Sequence, residues 1–447
     1  MKIKLDTTSG NDRGVCGFGQ TVVFDSGCEV ENGVVNLCPD VTYDTFEGFG
    51  GAITEAAAYV YSLLDETQKE ELLLAYFTPE RMNYTMVRIH LDSCDFCLGE
   101  YEAMSEPRDY ALNSFSFART EQYILPMLRD VERITGKKPE LMLSPWSPPA
   151  FMKTNGKRQQ GGGLKPACYE MWAAYLCRYI KAFQECGFTV RRISLQNEPH
   201  AVQTWDSCVY TPGEQKLFLE AYMYPAMVKA GLDDVEIFLW DHNKERLYEW
   251  MCSVIDKHTD SMVAGGAFHW YSGDHFEMLD MVKQRFPDKQ LILSESCIEL
   301  SKYESHETDR ACVSLSHEII GDLNHGMTAF YDWNLILDEQ GGPSYVENPC
   351  MAPFHYNRES RKLSAMPHQK CLEFFSHNLV KGSVRIGSSC YTEQIDVTAW
   401  KQPDGTLVVL LLNKSEQLLP VYLRIRQETA SFLLPPRSLT SGIVEVE

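Results

Sequence analysis

The sequence predicts an α/β fold: a (β/α)₈ TIM barrel with an attached β-sandwich domain formed from both chain termini. Three observations predict it. Eight apolar, strand-like runs alternate with amphipathic helical stretches through the centre of the chain. Both ends read as strands and turns. The length of 447 residues exceeds the roughly 250 of a barrel by enough to build a second module.

From the N-terminus, residues 1 to about 45 are rich in Val, Gly, Thr and Asp, with short runs such as Thr21-Val22-Val23-Phe24. The alternating runs are Phe46–Ile53, Thr85–His90, Glu140–Leu143, Arg192–Gln196, Glu236–Trp240, Gly266–Trp270, Gln290–Ser294 and Met327–Trp333. Strands alternating with helices predict a parallel sheet, and eight such units predict closure. An open doubly wound sheet is the competitor. Gly48-Phe49-Gly50-Gly51 lacks the G-x-G-x-x-G spacing that a nucleotide-binding sheet would carry.

The clearest helix is Tyr169–Cys186, with Trp172, Tyr175, Leu176, Tyr179, Ile180 and Phe183 on one face and Gly187 as its stop. Glu121–Thr135 stops at Gly136 in the same way, and Asp309–Asn324 is a third. Tyr222–Met227 reads as helix packing. Towards the C-terminus, Leu407–Leu412 is a buried strand preceded by the turn Pro403-Asp404-Gly405, and Val421–Ile425 is another strand. The expected division is residues 46–365 for the barrel and 1–45 plus 366–447 for the sandwich.

Composition narrows the function. The 62 acidic residues outnumber the 41 basic ones, a net charge of −21. Nucleic acids and anionic membranes both require a basic patch, so neither is expected as a partner. No run approaches the roughly 18 apolar residues of a spanning helix, and Met1 to Val15 has no apolar signal-peptide core. A cytoplasmic location is expected, with the 15 scattered cysteines as free thiols. Cys94 and Cys97 form a C-x-x-C without a second pair, and no zinc site is expected from it.

In such a barrel the chemistry sits at the C-terminal ends of the strands. Those ends carry Asp92 and Asp95, Ser144-Pro145-Trp146, Gln196-Asn197-Glu198-Pro199, Asp241-His242, His269-Trp270-Tyr271, Ser294-Glu295-Ser296 and Asp332-Trp333-Asn334. Glu198 and Glu295 each follow an apolar run, where a carboxylate is costly to desolvate unless it is used or paired. Trp146, Trp270, Tyr271 and Trp333 gather at the same rim. Two carboxylates with aromatic platforms suit glycoside hydrolysis. One protonates the glycosidic oxygen and needs a raised pKa; the other attacks the anomeric carbon. The bland reading makes both glutamates structural ion-pair partners, and the aromatic rim weighs against it.

Other chemistries are weaker. His317-Glu318 fails H-E-x-x-H because position 321 is Gly. No nucleophile-elbow G-x-S-x-G is present. His90, His242 and His269 could be ligands if they converged on a metal. Each alone reads as a hydrogen-bonded core group, so no metal and no cofactor are expected.

At these residues the chain resembles glycoside hydrolase family 30, the glucosylceramidase-like retaining β-glycosidases, from about Phe46 to Asn348. The matching segments are Phe46-Glu47-Gly48-Phe49-Gly50-Gly51-Ala52, Ser93-Cys94-Asp95-Phe96, Ser144-Pro145-Trp146-Ser147-Pro148, Lys153-Thr154-Asn155-Gly156, Asn197-Glu198-Pro199, His269-Trp270-Tyr271, Ser294-Glu295-Ser296-Cys297, and Asp332-Trp333-Asn334 before Gly341-Gly342-Pro343. Any one is weak; their shared order and spacing is specific.

The resemblance implies a barrel with a sandwich and hydrolysis with retention. It implies Glu198 as acid/base and Glu295 as nucleophile. Asp95 and Trp146 would hold sugar hydroxyls, Asn197 would contact the 2-hydroxyl, Trp333 would face the sugar and Tyr271 would hydrogen-bond near the nucleophile. Asn348 would be a further substrate contact, and Arg88 would keep Glu295 ionised. The expected substrate is a short β-glucoside, cleaved from its end. A β-xylosidase, β-fucosidase or β-1,6-glucanase shares the chemistry, as does transglycosylation. A carbohydrate-binding protein on a dead barrel and a metal-dependent hydrolase are the competing classes.

Overall fold

A computed structural model describes residues 1–9, 19–26, 30–299 and 308–445. At its centre eight parallel strands close into a barrel: β1 (Gly48–Ala52), β2 (Met86–Leu91), β3 (Glu140–Pro145), β4 (Val190–Ser194), β5 (Glu236–Asn243), β6 (Gly265–His269), β7 (Gln290–Glu295) and β8 (Met327–Asp332). They pair in sequence order, and β8 returns to β1 from Ala329↔Gly48 to Asp332↔Gly51. Every one of the eight apolar runs forms one of these strands.

Period-two alternation divides each strand between barrel interior and helical jacket. Met86, Met142, Phe238, Ala267, Ile292, Ala329 and Tyr331 form the apolar interior cluster. Alternate residues such as Val87, Ile89, Leu141, Leu143, Ile193, Leu291 and Leu293 face the helices and join the large outer core. Full burial of one such side chain stabilises by about 1.5–3 kcal/mol. Towards the N-terminal end Arg192, fully buried, hydrogen-bonds Tyr331 Oη at 3.1 Å and pairs with Glu236 and Glu47.

Tyr169–Glu185 is a helix with its predicted face buried. The stretch predicted as one helix over Glu121–Thr135 is two, Ala118–Gln122 and Ile124–Thr135. Tyr123, at φ −127° and ψ −57°, breaks the ladder between them, while Gly136 at φ 69° ends the second. The Tyr222–Met227 stretch spans a π-turn over Leu219–Met223 and the helix Tyr224–Ala230, with Met223 and Met227 buried.

Ten strands from both ends of the chain hydrogen-bond in one continuous series. Lys2–Ser9 lies antiparallel to Ser438–Glu445, Lys2 opposite Glu445, so the termini are neighbours. Leu407–Asn413 is buried along its whole length. Leu407, Val409 and Leu411 enter the sandwich core, and Val408, Leu410 and Leu412 enter the barrel's core. A strand covered on both faces needs an uninterrupted apolar run, as this one has.

One segment assigned to the sandwich on sequence behaves otherwise. Pro367–Asn378 is a helix, and Cys371, Leu372, Phe375 and the following Leu379 lie in the barrel's core. The helix also touches the strands at both termini. On packing it therefore sits at the seam, not within the β-sheet region expected for 366–447. The helical spacing of His368, Cys371, Leu372 and Phe375 is present in the sequence, hidden between strands. Among the described residues, no helix is long and apolar enough to cross a membrane.

Candidate active site

The inward residues one layer above the apolar interior are polar: Arg88, Ser144, Ser194, Asp241, His269 and Ser294, all buried. Asp241 collects them. It accepts from Arg88 Nη2 at 3.0 and 3.1 Å, from Ser144 Oγ at 3.1 Å, Ser194 Oγ at 2.5 Å, Ser294 Oγ at 2.6 Å and His269 Nε2 at 3.1 Å. Burial alone would raise its pKa. The Arg88 guanidinium, then His269 and Ser194, outweigh burial and hold the carboxyl well below the usual range.

Two β-bulges aim the side chains above this floor. Pairing of β6 with β5 passes from Ala267↔Trp240 to Phe268↔His242 and leaves Asp241 as the extra residue. Pairing of β6 with β7 passes from Phe268↔Leu293 to His269↔Glu295 and leaves Ser294 extra. A bulge breaks alternation, so Asp241 and His242, and likewise Ser294 and Glu295, can serve one end of the barrel together. Asp92, Glu198, Trp240, Asp241 and Asn334 all have positive φ, between 48° and 73°. Non-glycine residues in this region cost about 1–3 kcal/mol each and concentrate at functional sites.

Glu295 is fixed at both oxygens. Arg88 Nη1 donates to Oε2 at 2.5 Å, and Tyr271 Oη donates to Oε1 at 2.9 Å. Arg88 Nη2 also donates to Asn197 Oδ1 at 2.8 Å. Burial works against the guanidinium's charge, but Asp241 and Glu295 more than offset it and keep Arg88 firmly protonated. Its Cζ lies 4.9 Å from the Trp146 ring centre and 5.5 Å from that of Trp333.

Glu198 has different neighbours. Nδ1 of His242 and Nδ1 of His269 each lie 3.4 Å from its Oε1, and Gln203 Nε2 lies 3.4 Å from Oε2. A raised pKa is the expectation for an acid catalyst. Burial does push it up, but His242 and His269, facing it through Nδ1, pull the Glu198 carboxyl below its ordinary range, first by hydrogen bonding and then by charge. His269 is disfavoured as a cation by burial, yet Glu295, Asp241 and Glu198 bring it to about 9.

These groups open onto a cavity of about 480 Å³. Of the sequence-predicted residues, Asp95, Trp146, Asn197, Glu198, Tyr271, Glu295, Trp333 and Asn348 line it. Arg88 lies buried beneath. Trp146 and Trp333 stack at 5.4 Å and 22°. Asn348 Nδ2 donates to Asp95 Oδ2 at 3.1 Å, and Ser344 Oγ donates to the Asp95 carbonyl at 2.9 Å. Burial and nearby Glu295 push the Asp95 carboxyl well up.

Sequence reasoning missed the hub Asp241 and the convergence of His242 and His269 on Glu198. A signal existed for the hub: Leu143-Ser144, Ile193-Ser194 and Leu293-Ser294 repeat one apolar-Ser step at strand ends, and all three serines donate to Asp241. His90 is the hydrogen-bonded core group expected. Its Nε2 accepts from the Glu55 N–H at 2.9 Å, and its Nδ1 lies 2.5 Å from the Asp92 carbonyl. Cys94 and Cys97 lie beside it, their sulfurs 3.9 Å apart. The thirteen cysteines among the described residues are free thiols.

Comparison with known proteins agrees with this geometry. The glycosyl hydrolase family 30 TIM-barrel domain matches residues 46–379, and the family 30 beta sandwich domain matches residues 382–441. Mouse lysosomal acid glucosylceramidase is 28% identical over 406 residues, covering 87% of this chain and 78% of that protein. An endo-1,6-beta-D-glucanase of Neurospora crassa is 24% identical over 396 residues, covering 84% and 80%. The crystal structure of SrfJ from Salmonella typhimurium superposes with a TM-score of 0.95 at 32% identity, covering the whole of both chains.

Proposed function

Because the chain belongs to glycosyl hydrolase family 30 and is a glycosidase, we propose that it is a retaining, exo-acting β-glucosidase of short β-glucosides. The observation that carries this reading is the asymmetry of the two glutamates on one cavity. Glu295 is locked by Arg88 and Tyr271 in a single orientation, as a nucleophile requires. Glu198 stands among groups that exchange protons. In the first step Glu295 attacks the anomeric carbon while Glu198 gives its proton to the departing glycosidic oxygen. In the second, Glu198 takes a proton from water, and that water displaces Glu295 from the anomeric carbon. Asp95, Asn197, Trp146 and Trp333 position the glucosyl unit, and Asn348 orients Asp95.

Purified protein tests this on aryl β-glucoside, β-xyloside, β-fucoside and β-galactoside beside Glu295→Gln and Glu198→Ala. The glucoside is expected to turn over with the β-anomer formed first by NMR. Glu295→Gln is expected to be inactive and azide to rescue Glu198→Ala in part. An α-anomer formed first refutes retention, and silence on all four refutes the exo reading. The N. crassa relative favours a second reading, cleavage within β-1,6-glucan. Oligosaccharides rather than glucose as the first products from that polymer would establish it instead.

A further inference from the structure

Glu198, His242 and His269 bring three ligand atoms of one site within 4.8 Å of one another. The Nδ1 atoms of both histidines are buried and make no well-aligned hydrogen bond; each faces Glu198 Oε1 in a long contact of 3.4 Å. A hydrogen bond this long and poorly aligned is weak, so two buried imidazole nitrogens are only partly satisfied and the spot favours a ligand that binds both. Zinc–nitrogen and zinc–oxygen bonds of about 2.05 Å in a tetrahedron set ligand atoms about 3.3 Å apart. Both measured nitrogen-to-oxygen separations match that edge. The outer support is also present: Asp241 accepts from His269 Nε2 at 3.1 Å, the carboxylate–histidine arrangement that leaves Nδ1 to a metal once the metal has displaced its proton. The bulge at Asp241 carries His242 to the same place.

We propose that Glu198, His242 and His269 form a reversible binding site for a divalent transition metal of the zinc type, and that occupation of this site inhibits the enzyme. Imidazole and carboxylate ligands suit zinc, cobalt and nickel rather than calcium or magnesium. Glu198 and His242 both line the cavity, so the fourth position opens to water. The inhibitory half rests on the reading of Glu198 as the acid/base: a carboxylate bound to the metal has no proton to give. The other candidate cluster, His90 with Cys94 and Cys97, is less fit. Both ring nitrogens of His90 are engaged with backbone groups.

The test is a titration of chelator-treated, full-length protein with cobalt(II). Tetrahedral nitrogen/oxygen coordination gives visible ligand-field bands without the near-ultraviolet charge-transfer band of a thiolate, so the cysteines are distinguishable. One equivalent is expected to bind with that signature. Binding is expected to weaken at least tenfold in His242→Gln and in Glu198→Gln, and to persist in Cys94→Ser/Cys97→Ser. Zinc is expected to inhibit aryl β-glucoside hydrolysis, EDTA to reverse it, and the inhibition constant to rise at least tenfold in His242→Gln relative to wild type. Melting curves of the variants separate loss of the site from loss of the fold. A thiolate band alone, or bands indifferent to both substitutions, overturns the site. Bound cobalt that leaves turnover unchanged overturns the inhibition. A cobalt site with the expected dependence in a protein silent on every glycoside supports the site and refutes the glucosidase reading.

Discussion

Asp241→Asn tests the buried floor most directly. The substitution keeps shape and removes one charge from a fully buried group. Arg88, also fully buried, then retains Glu295 as its one anionic partner and loses contacts at 3.0 and 3.1 Å. Removing one member of a buried ion pair costs about 3–5 kcal/mol. The remaining Glu295 keeps Arg88 partly compensated, so the lower end, about 3 kcal/mol, is expected. The amide nitrogen also faces hydroxyl donors that had been accepted. Activity should fall further than stability accounts for, because Arg88 orients both Glu295 and Asn197. A 100-fold or greater loss of kcat/KM, about 2.7 kcal/mol of transition-state stabilisation, is expected below the melting range. Urea unfolding with an unchanged m value gives the first quantity, and aryl glucoside kinetics give the second. Ser144→Ala is the internal control: it removes one neutral donor and should cost about 1 kcal/mol. If Asp241→Asn costs no more than Ser144→Ala in both measurements, Asp241 is not the anchor argued above.

Three other outcomes are expected. Tyr271→Phe removes the 2.9 Å hydrogen bond to Glu295; urea stability should fall by about 1.5–3 kcal/mol, the worth of a bond to a charged acceptor, and kcat/KM measured below the melting range should fall ten- to a hundredfold. Gly265→Ala would place a Cβ 2.1 Å from the Gln290 carbonyl oxygen on the neighbouring strand, and overpacking of this kind should cost at least about 2 kcal/mol in urea. His368 is buried, and burial, then nearby His355, lower its pKa to about 3; burial likewise lowers His355 to about 4 against the pull of Asp338 and Glu339. The unfolded chain therefore takes up these protons first, and stability present above about pH 6.5 is lost as pH falls. Between pH 6.5 and 5 the His368 share is about 2 kcal/mol, and His368→Gln should show a correspondingly flatter stability profile; an equally steep one refutes the assignment.

The barrel was legible because its strands are buried on both faces. Such strands must be apolar throughout, and eight runs of that kind stand out between amphipathic helices. The seam helix Pro367–Asn378 was not legible by the same logic. Its buried spacing is correct, but strands on either side dominate the local pattern, and only packing shows that its apolar face belongs to the barrel. The break at Tyr123 did carry a signal: Pro126 has no N–H to donate to the Gln122 carbonyl, so a helix running through Glu121–Thr135 must be interrupted there and restart with Pro126 in its first turn. Asn348, and the roles of Asp95 and Asn197, were reached through resemblance rather than periodicity, because a polar residue beyond a strand carries no signal of what it faces.

Bulges explain why the strand ends were only half readable. Reading a strand by alternation assigns Asp241 and His242 to opposite faces, and Ser294 and Glu295 likewise. In the folded barrel the extra residue at each bulge cancels that alternation. The inner member of each pair joins the polar floor, and the outer one reaches the cavity. The floor thus holds Arg88 in place for Glu295, and the same Asp241 that does so also orients His269 beside Glu198. One buried carboxylate therefore couples the two glutamates that sequence reading treated as independent. Substitutions at Arg88 and His269 should consequently be non-additive in kcat/KM, by an interaction energy in the 0.5–3 kcal/mol range of groups sharing one network. A double-mutant cycle on Arg88→Lys and His269→Gln measures it, and strict additivity would mean that the floor is two separate contacts rather than one.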